Sequence, residues 1–440
     1  MPFQEPGYLS WAGYQTSIYS KFIPPKISTD SSRWEVEARA RMPSRNYNYV
    51  NGTAGQGRTA RANLDTFTRY RLIPRMLSGA SARDLSVTLF GKKFPSPILV
   101  SPIGVQSICN KHAEIATARA AAKLNVPFVL STASSTNMET VAEAHAAGSV
   151  SVEGTEFAKA DRWYQLYWPK DDALTVSLLR RAEASGFSVL VVTLDTFSLG
   201  FRPADLDQSY LPFIWGEGCA IGFNDPVFND KYSSQLATGS TLSIFEKLKL
   251  LIERSQGSIS LFFALLWWHK QVFKSMAWIG EVYSGTHKTW EDLKLLRDSW
   301  NGPIVLKGIQ SVEDARLAFK HGMDGIIVSN HGGRQADGAI ASLNALAKIT
   351  VDEEVKKSNL TILFDSGVRT GSDIIKALAL GAKAVLIGRP LAYGLALGGQ
   401  EGVEHVLKCL LAEADVTMAN IGRKNVAELN RSILDLEIVD

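Results

Sequence analysis

The chain has 440 residues, 45% of them hydrophobic and 21% charged, an ordinary composition for a globular enzyme and enough length for one large barrel or two smaller domains. A formal charge of +3 is too small to point to nucleic acid or a membrane surface as partner. Three scattered cysteines, Cys109, Cys219 and Cys409, argue against a disulfide framework and for a reducing compartment, and no CxxC, HExxH or EF-hand spacing implies a metal.

The N-terminal stretch MPFQEPGYLSWAGYQTSIYSKF lacks the basic and apolar regions of a signal peptide, and the chain ends EIVD, which is not a peroxisomal SKL-type address; the expected location is cytoplasmic. Residues 1–97 read as an extension that packs on the larger domain formed by residues 98–440. From residue 98 a unit recurs, a short β-branched apolar run and then a stretch of helix length. The strand runs are ILVSP (98–102), PFVLST (127–132), YQLYW (164–168), VLVVTLD (189–195), PIVLKG (303–308), GIIVSN (325–330), TILFDSG (361–367) and AVLIGRP (384–390). Between them lie helix candidates such as AEIATARAAAKL, METVAEAHAAG, LTVSLLRRAEASG, VEDARLAFKHG and SDIIKALALG, several ending in the glycine favoured just past a helix. Eight such units favour a closed (β/α)8 barrel over an open sheet. The aromatic-rich stretch 199–287 between the fourth and fifth runs reads as a lid insertion. Its most apolar window, LFFALLWW at 261–268, is too short to span a bilayer and reads as a buried packing segment. Residues 391–440 close the fold with one or more helices.

Nearly every run starts apolar and finishes polar. The ends carry Ser131, Gln165, Tyr167, Thr193, Asp195, Lys307, Ser329, His331, Asp365 and the pair Gly388–Arg389. A single Lys or Asp at a strand end is more often a solvated cap than a catalyst. An imidazole, an ammonium, carboxylates and guanidiniums converging on one rim are what proton abstraction and anion binding need. FDSGVRTGSD (364–373) and IGRP (387–390) are glycine-containing turns, each with an arginine, at the place where this fold binds phosphate. Arg369, Arg389 and the amides of a helix N-terminus are therefore expected to cradle a phosphate-bearing ligand, whether substrate or cofactor. No P-loop and no strand-linked GxGxxG is present.

With these blocks in hand the chain resembles the FMN-dependent 2-hydroxy-acid oxidases and dehydrogenases, among them glycolate oxidase and lactate oxidase. SNHGGRQ is their signature block, and PRML (74–77), SPIG (101–104), YQLYWPKD (164–171), TLDT (193–196), VLKGIQSVEDAR (305–316), FDSGVRTGSDIIKALALGA (364–382) and IGRP (387–390) stand in family order over about residues 45–435. TLDTFSLGFRPADLD, SNHGGRQADG and LAEADVTMA look most like lactate 2-monooxygenase. The resemblance implies that Pro102, Ile103, Gly104, Ser131, Gln165, Thr193 and Lys307 hold the FMN ring, with Ser329 beside them. It implies that Asp365, Gly367, Arg369, Gly388 and Arg389 take the ribityl phosphate end. Tyr49, Arg202 and Arg334 would bind the substrate carboxylate, Tyr167 the hydroxyl or developing carbonyl oxygen, and His331 would be the base oriented by Asp195. The glycines of NHGGR would let the backbone approach these ligands closely. The implied partners are a small 2-hydroxy acid and O2, with no nucleic acid or membrane, in a homo-oligomer (tetramer or octamer by resemblance).

Three positions depart from the glycolate-oxidase pattern: Ser366 for a glycine, Phe201 for an arginine, and Ala133 for a bulky tryptophan. The last is expected to enlarge the pocket for a substrate at least as large as lactate. Oxidases release the 2-keto acid and hydrogen peroxide, whereas monooxygenases hold both until a shortened acid and carbon dioxide form, a difference that rests on lid closure. A non-flavin barrel isomerase or synthase using the same phosphate site, and a catalytically silent ligand-binding homologue, are the readings from other classes.

Overall fold

A computed structural model describes residues 10–151, 153–237, 246, 249, 252–253 and 259–436. Eight parallel strands close into a barrel in chain order: β1 (Ile98–Val100), β2 (Phe128–Ser131), β3 (Arg162–Tyr167), β4 (Leu190–Thr193), β5 (Ile304–Ile309), β6 (Gly325–Val328), β7 (Thr361–Phe364) and β8 (Ala384–Ile387). Each apolar run read from the sequence supplies one strand. The helices between them include Ala113–Lys123, Met138–Gly148, Asp172–Ala184, Val312–Lys320 and Gly371–Ala379. The turns after three of these use Gly186, Gly322 and Gly381 at positive φ, where other residues carry a steric penalty.

Side chains alternate across a strand. One set, Leu99, Val129, Trp163, Val191, Val305, Ile327, Leu363 and Leu386, packs together inside the barrel. Their neighbours, such as Ile98, Phe128, Leu190, Ile304 and Ile326, belong to the larger core under the helices. Each fully buried aliphatic side chain contributes roughly 1.5–3 kcal/mol. An antiparallel hairpin, Val87–Leu89 with Lys92–Phe94, sends Val87, Leu89 and Phe94 into the interior cluster and floors the N-terminal end of the barrel.

The same alternation builds the site. Two residues beyond each interior position stand Ser101, Ser131, Gln165, Thr193, Lys307, Ser329, Asp365 and Gly388, so a polar ring caps the apolar plug at the C-terminal mouth. Residues before the barrel reach this mouth through α1 (Ser44–Asn51) and α2 (Arg58–Arg69). Strand Tyr70–Leu72 pairs with Leu434–Leu436 and ties the early segment to the end of the chain. The C-terminal helix, α3 (Arg389–Asn420), is kinked at Gly398–Gly399 and packs along helix Ser31–Arg41.

The long connection from β4 to β5 holds short helical turns at Pro203–Leu206, Pro212–Trp215 and Ala220–Phe223, then helices Pro226–Ala237 and Ile259–Val282. LFFALLWW lies in the last of these. Burial of its side chains, like the terminal EIVD, falls outside the described residues. Among the described residues no helix is long and apolar enough to cross a membrane.

Candidate active site

The mouth of the barrel opens into a cavity of about 1040 Å³, counted to its open rim. It is lined by Tyr49, Pro102, Ile103, Gly104, Tyr167, Arg202, Lys307, His331, Arg334, Asp365, Gly367, Arg369, Gly388 and Arg389. Ser131, Gln165, Thr193 and Ser329 are fully buried at the strand ends beneath the cavity, and Asp195 stands behind His331. Ser131 Oγ donates to Gln165 Oε1 at 3.0 Å, and Lys307 Nζ donates to Ser329 Oγ at 3.0 Å while facing Asp365 Oδ2 at 3.4 Å. Burial opposes the Lys307 charge, but Asp365 and Asp195 overcome it and raise its pKa, so the ammonium is permanent at neutral pH.

His331 sits on strained backbone. It and the next two residues all have positive φ (58°, 64° and 74°), costly for a histidine and typical of functional turns. Ser329 Oγ, Ser366 Oγ and Asn330 Oδ1 accept from the three successive amides. Gly332 lines the cavity, and both glycines are also close to protein atoms: a Cβ on Gly332 would stand 3.0 Å from Arg389 Nη1, and one on Gly333 2.6 Å from the backbone nitrogen of Ala60 in α2.

The imidazole is aimed by its Nδ1, which lies 2.8 Å from Asp195 Oδ1 and 3.1 Å from Thr196 Oγ1. Thr196 Oγ1 also donates to Asp195 Oδ1 at 2.8 Å. With Nδ1 bonded to the carboxylate, the lone pair of Nε2 is left for chemistry. Burial lowers the His331 pKa, against the pull of Asp195, so the ring is neutral and basic near pH 7. Burial would raise the Asp195 carboxyl, but His331 and Lys307 outweigh it and hold it at about 2. Tyr167 stacks on His331 with ring centroids 6.4 Å apart, and burial pushes its phenol well above the ordinary value.

Two guanidiniums face this dyad. Arg334 Nη1 donates to the carbonyls of Val50 (3.0 Å) and Gly52 (2.7 Å) at the C-terminal end of α1, and its Cζ lies 5.4 Å from the centre of the Tyr49 ring. These carbonyls carry the negative end of the helix dipole. Arg202 Nε donates to the Arg334 carbonyl at 3.1 Å. Among the described residues neither guanidinium has a carboxylate ion-pair partner. Burial and the charges of Arg202 and Arg389 push Arg334 down to about 9, still protonated at neutral pH but short of counter-charge. Asp205 is nearby, yet burial raises its carboxyl and its Oδ1 has no partner.

The phosphate end differs from expectation in one respect. The amides of Arg369 and Thr370 are taken by Asp373 Oδ2, in a capping box, and that of Gly371 by Glu413 Oε2. The helix they open therefore has little to offer an anion. The free helix start is that of α3, which has Gly388 at its N-cap with no side-chain cap, then Arg389 and Pro390. Arg389 donates to the carbonyls of Gly332, Val50 and Gly52 at 2.9–3.3 Å, which uses three of its five N–H groups.

The description FMN-dependent dehydrogenase matches residues 38–436. The chain belongs to this family. An FMN-dependent alpha-hydroxy acid dehydrogenase of Penicillium citrinum is 43% identical over 430 residues, covering 97% of this chain and 96% of its own. An L-lactate oxidase of Lysinibacillus sphaericus is 37% identical over 402 residues, covering 90% and 89%. A crystal structure of mandelate oxidase superposes with a TM-score of 0.72 at 29% identity, covering 94% of this chain and all of that one.

FMN is thus the cofactor of this member of the family, and oxidation of a 2-hydroxy acid its reaction class. The residues fit the cofactor. Gln165 Nε2 is buried with no partner, a donor waiting for an acceptor. Lys307 presents a buried positive charge, and Gly104 lies so close to Ala133 that an added Cβ would stand 2.7 Å from its methyl carbon, so the cavity-lining segment 102–104 ends in bare backbone.

Other site features were not read from the sequence. Thr196 completes the His331–Asp195 hydrogen-bond triangle; it lies within the quoted TLDT block, where its hydroxyl was the available signal. Phe213 and Tyr283, from the two ends of the insertion, form an aromatic wall with ring centroids 5.4 Å apart, and Tyr283 lies 5.1 Å from Tyr167. Nothing in local pattern distinguishes them from core aromatics. Ser366, noted as a departure, adopts φ 83° and bridges Asp365 Oδ1 (2.7 Å) to the amide of Gly332 (2.9 Å). Phe201 is 73% exposed and contributes only its carbonyl, which accepts from the Gly55 amide.

Proposed function

We propose that the protein oxidises an L-2-hydroxy acid of lactate size or larger to the 2-keto acid, with O2 as the electron acceptor. The observation that carries this reading is the pairing, in one cavity, of the His331–Asp195 dyad with two guanidiniums, Arg202 buried and Arg334 partly so, that have no carboxylate ion-pair partner among the described residues. A small carboxylate supplies the missing counter-charge and suits the planar fork of Arg334, with Arg202 and the Tyr49 ring closing on it. The substrate hydroxyl then lies toward Tyr167 and His331 Nε2. The neutral imidazole takes a proton and Asp195 stabilises the imidazolium that results. Tyr167 stays protonated and donates to the oxygen that becomes the carbonyl. When bound, FMN supplies the two-electron sink for the α-carbon, and the Lys307 ammonium favours negative charge beside it.

The remaining wall of the cavity, Ile103, Ala133, Leu199, Phe213 and Tyr283, is largely apolar. This supports a hydrocarbon side chain on the substrate. Phe213 and Tyr283 line the same cavity as Ala133, so the pocket has an aromatic wall.

A second outcome is favoured by how the insertion is fastened. Glu217 accepts from Ser107 Oγ, the Ala220 amide donates to the Ser134 carbonyl, and Gly218 sits against Ala133 and Val105. A lid docked this way favours retention of keto acid and peroxide, and hence oxidative decarboxylation.

The test is anaerobic mixing of the FMN-loaded protein with a series of L-2-hydroxy acids, then product analysis in air. Lactate and longer acids are expected to bleach the flavin. A shortened acid with carbon dioxide identifies the retaining outcome, and 2-keto acid with peroxide the releasing one. Flavin that no 2-hydroxy acid bleaches, or a strong preference for glycolate, overturns the reading.

A further inference from the structure

Gln335 comes directly after the substrate arginine but does not line the cavity. Its amide is fully engaged. Nε2 donates to the carbonyls of Asp195 (2.9 Å) and Ser198 (2.9 Å), while Oε1 accepts from the Gly200 amide (3.2 Å) and from Arg202 Nη2 (2.8 Å). Four bonds exhaust what a carboxamide can make. All four go to one segment, 195–202, which starts at the carboxylate that aims His331 and ends at the guanidinium that faces the substrate.

The two segments also touch through backbone. A Cβ on Gly200 would stand 2.3 Å from the Arg334 carbonyl oxygen and 2.7 Å from that of Gln335. Arg202 Nε reaches the same Arg334 carbonyl at 3.1 Å. On the other side Asp195 is held only through Oδ1, since its buried Oδ2 has no partner. Its aim at the imidazole therefore depends on where its backbone is anchored, and one of the anchors is Gln335.

We propose that Gln335 is a positioning residue that holds the base-orienting carboxylate and the carboxylate-binding arginine in register, its donor face setting Asp195 and its acceptor face setting Arg202. The inference rests on the roles given above to His331, Asp195 and Arg202. The two faces can be separated by substitution. Q335E keeps an acceptor toward Arg202 and Gly200 but opposes the two carbonyls of Asp195 and Ser198. Q335M keeps the length and removes both faces.

The experiment uses FMN-loaded wild type, Q335E and Q335M in anaerobic stopped-flow reduction by L-lactate across pH, with oxalate binding read from the flavin spectrum. In Q335E the limiting reduction rate is expected to fall about 10- to 100-fold, the loss typical of a small misplacement of a catalytic group. Its oxalate dissociation constant should rise by no more than about fivefold, since the new carboxylate offsets part of the Arg202 charge while Arg202 stays held and Arg334 is untouched. The acid limb of its rate profile should move to lower pH as His331 loses its anionic neighbour. Q335M should lose rate and also bind oxalate about tenfold or more weakly. Should Q335M fail to retain FMN, the split in Q335E decides alone. Equal losses of rate and oxalate affinity in Q335E with an unmoved pH profile, or no loss in either variant, overturn the inference. Wild type that lactate and longer acids fail to bleach overturns the underlying reading; a bleached wild type with indifferent variants overturns only the role of Gln335.

Discussion

At the scale of single residues, the chemistry turns on which nitrogen of His331 is committed. Asp195 and Thr196 occupy Nδ1, so removing the charge of Asp195 without its shape should disturb both tautomer and basicity. D195N is expected to lower the flavin-reduction rate by about 10²-fold or more and to shift the acid limb to lower pH, since Asp195 is what opposes the burial-driven fall of the His331 pKa. Rapid-reaction absorbance of the flavin reads both effects. These residues were legible because period-two alternation carries each interior aliphatic to a polar residue two positions on. Lys307 comes two after Val305, Asp365 two after Leu363, and Gln165 two after Trp163. Thr196, Gln335 and Ser366 act through hydrogen bonds between distant segments, and no one-dimensional pattern encodes those.

A histidine outside the site has a different consequence. His145 is fully buried beside Phe128, and neither ring nitrogen has a partner. Burial, then the Arg162 charge, pushes its pKa down from 6.5 to about 4. The unfolded chain binds the proton first, so stability is complete above pH 6.5 and falls as pH drops toward 4. The loss is on the order of 3 kcal/mol. H145M should flatten the fall in thermal midpoint between pH 6.5 and 4, which scanning calorimetry would record.

Among the elements, the loops that cap the barrel are held by close contacts with one another. The 102–104 segment lies against Ala133, and its position is set by contact with backbone and a methyl, neither of which can swing aside. G104A is therefore expected to cost about 1–3 kcal/mol and to reduce retained FMN, measured as the flavin-to-protein absorbance ratio after gel filtration. The strands and helices were readable because each carries its own apolar period. The sequence points to the amides of a helix N-terminus, beside Arg369 and Arg389, as an anion cradle; at the start of the helix that follows β7 the structure gives the amides of 369–371 to Asp373 and Glu413 instead. Glu413 arrives from a helix that no local motif connects to that turn.

For the molecule as a whole, the mouth concentrates Lys307, Arg202, Arg334, Arg369 and Arg389, with Asp195 and Asp365 as the main counter-charges. Removal of FMN should leave this excess unrelieved. The apoprotein is expected to melt at lower temperature and to regain about 2.7 kcal/mol at an FMN concentration 100 times its Kd. Inorganic phosphate alone should return a smaller part through Arg389 and the start of α3. Thermal shift in the three conditions checks this.

Because interior apolar side chains fill the cylinder and the hairpin carrying Val87, Leu89 and Phe94 stoppers its far end, the catalytic chamber has a solid floor and, among the described residues, opens on the side of the loops at the mouth. On the proposed activity, the organic acid and both products cross that same side of the chamber. On that reading turnover becomes a matter of queueing: a keto acid that lingers on the threshold delays the next entrant, and the order in which the two products leave decides what chemistry the one left inside undergoes.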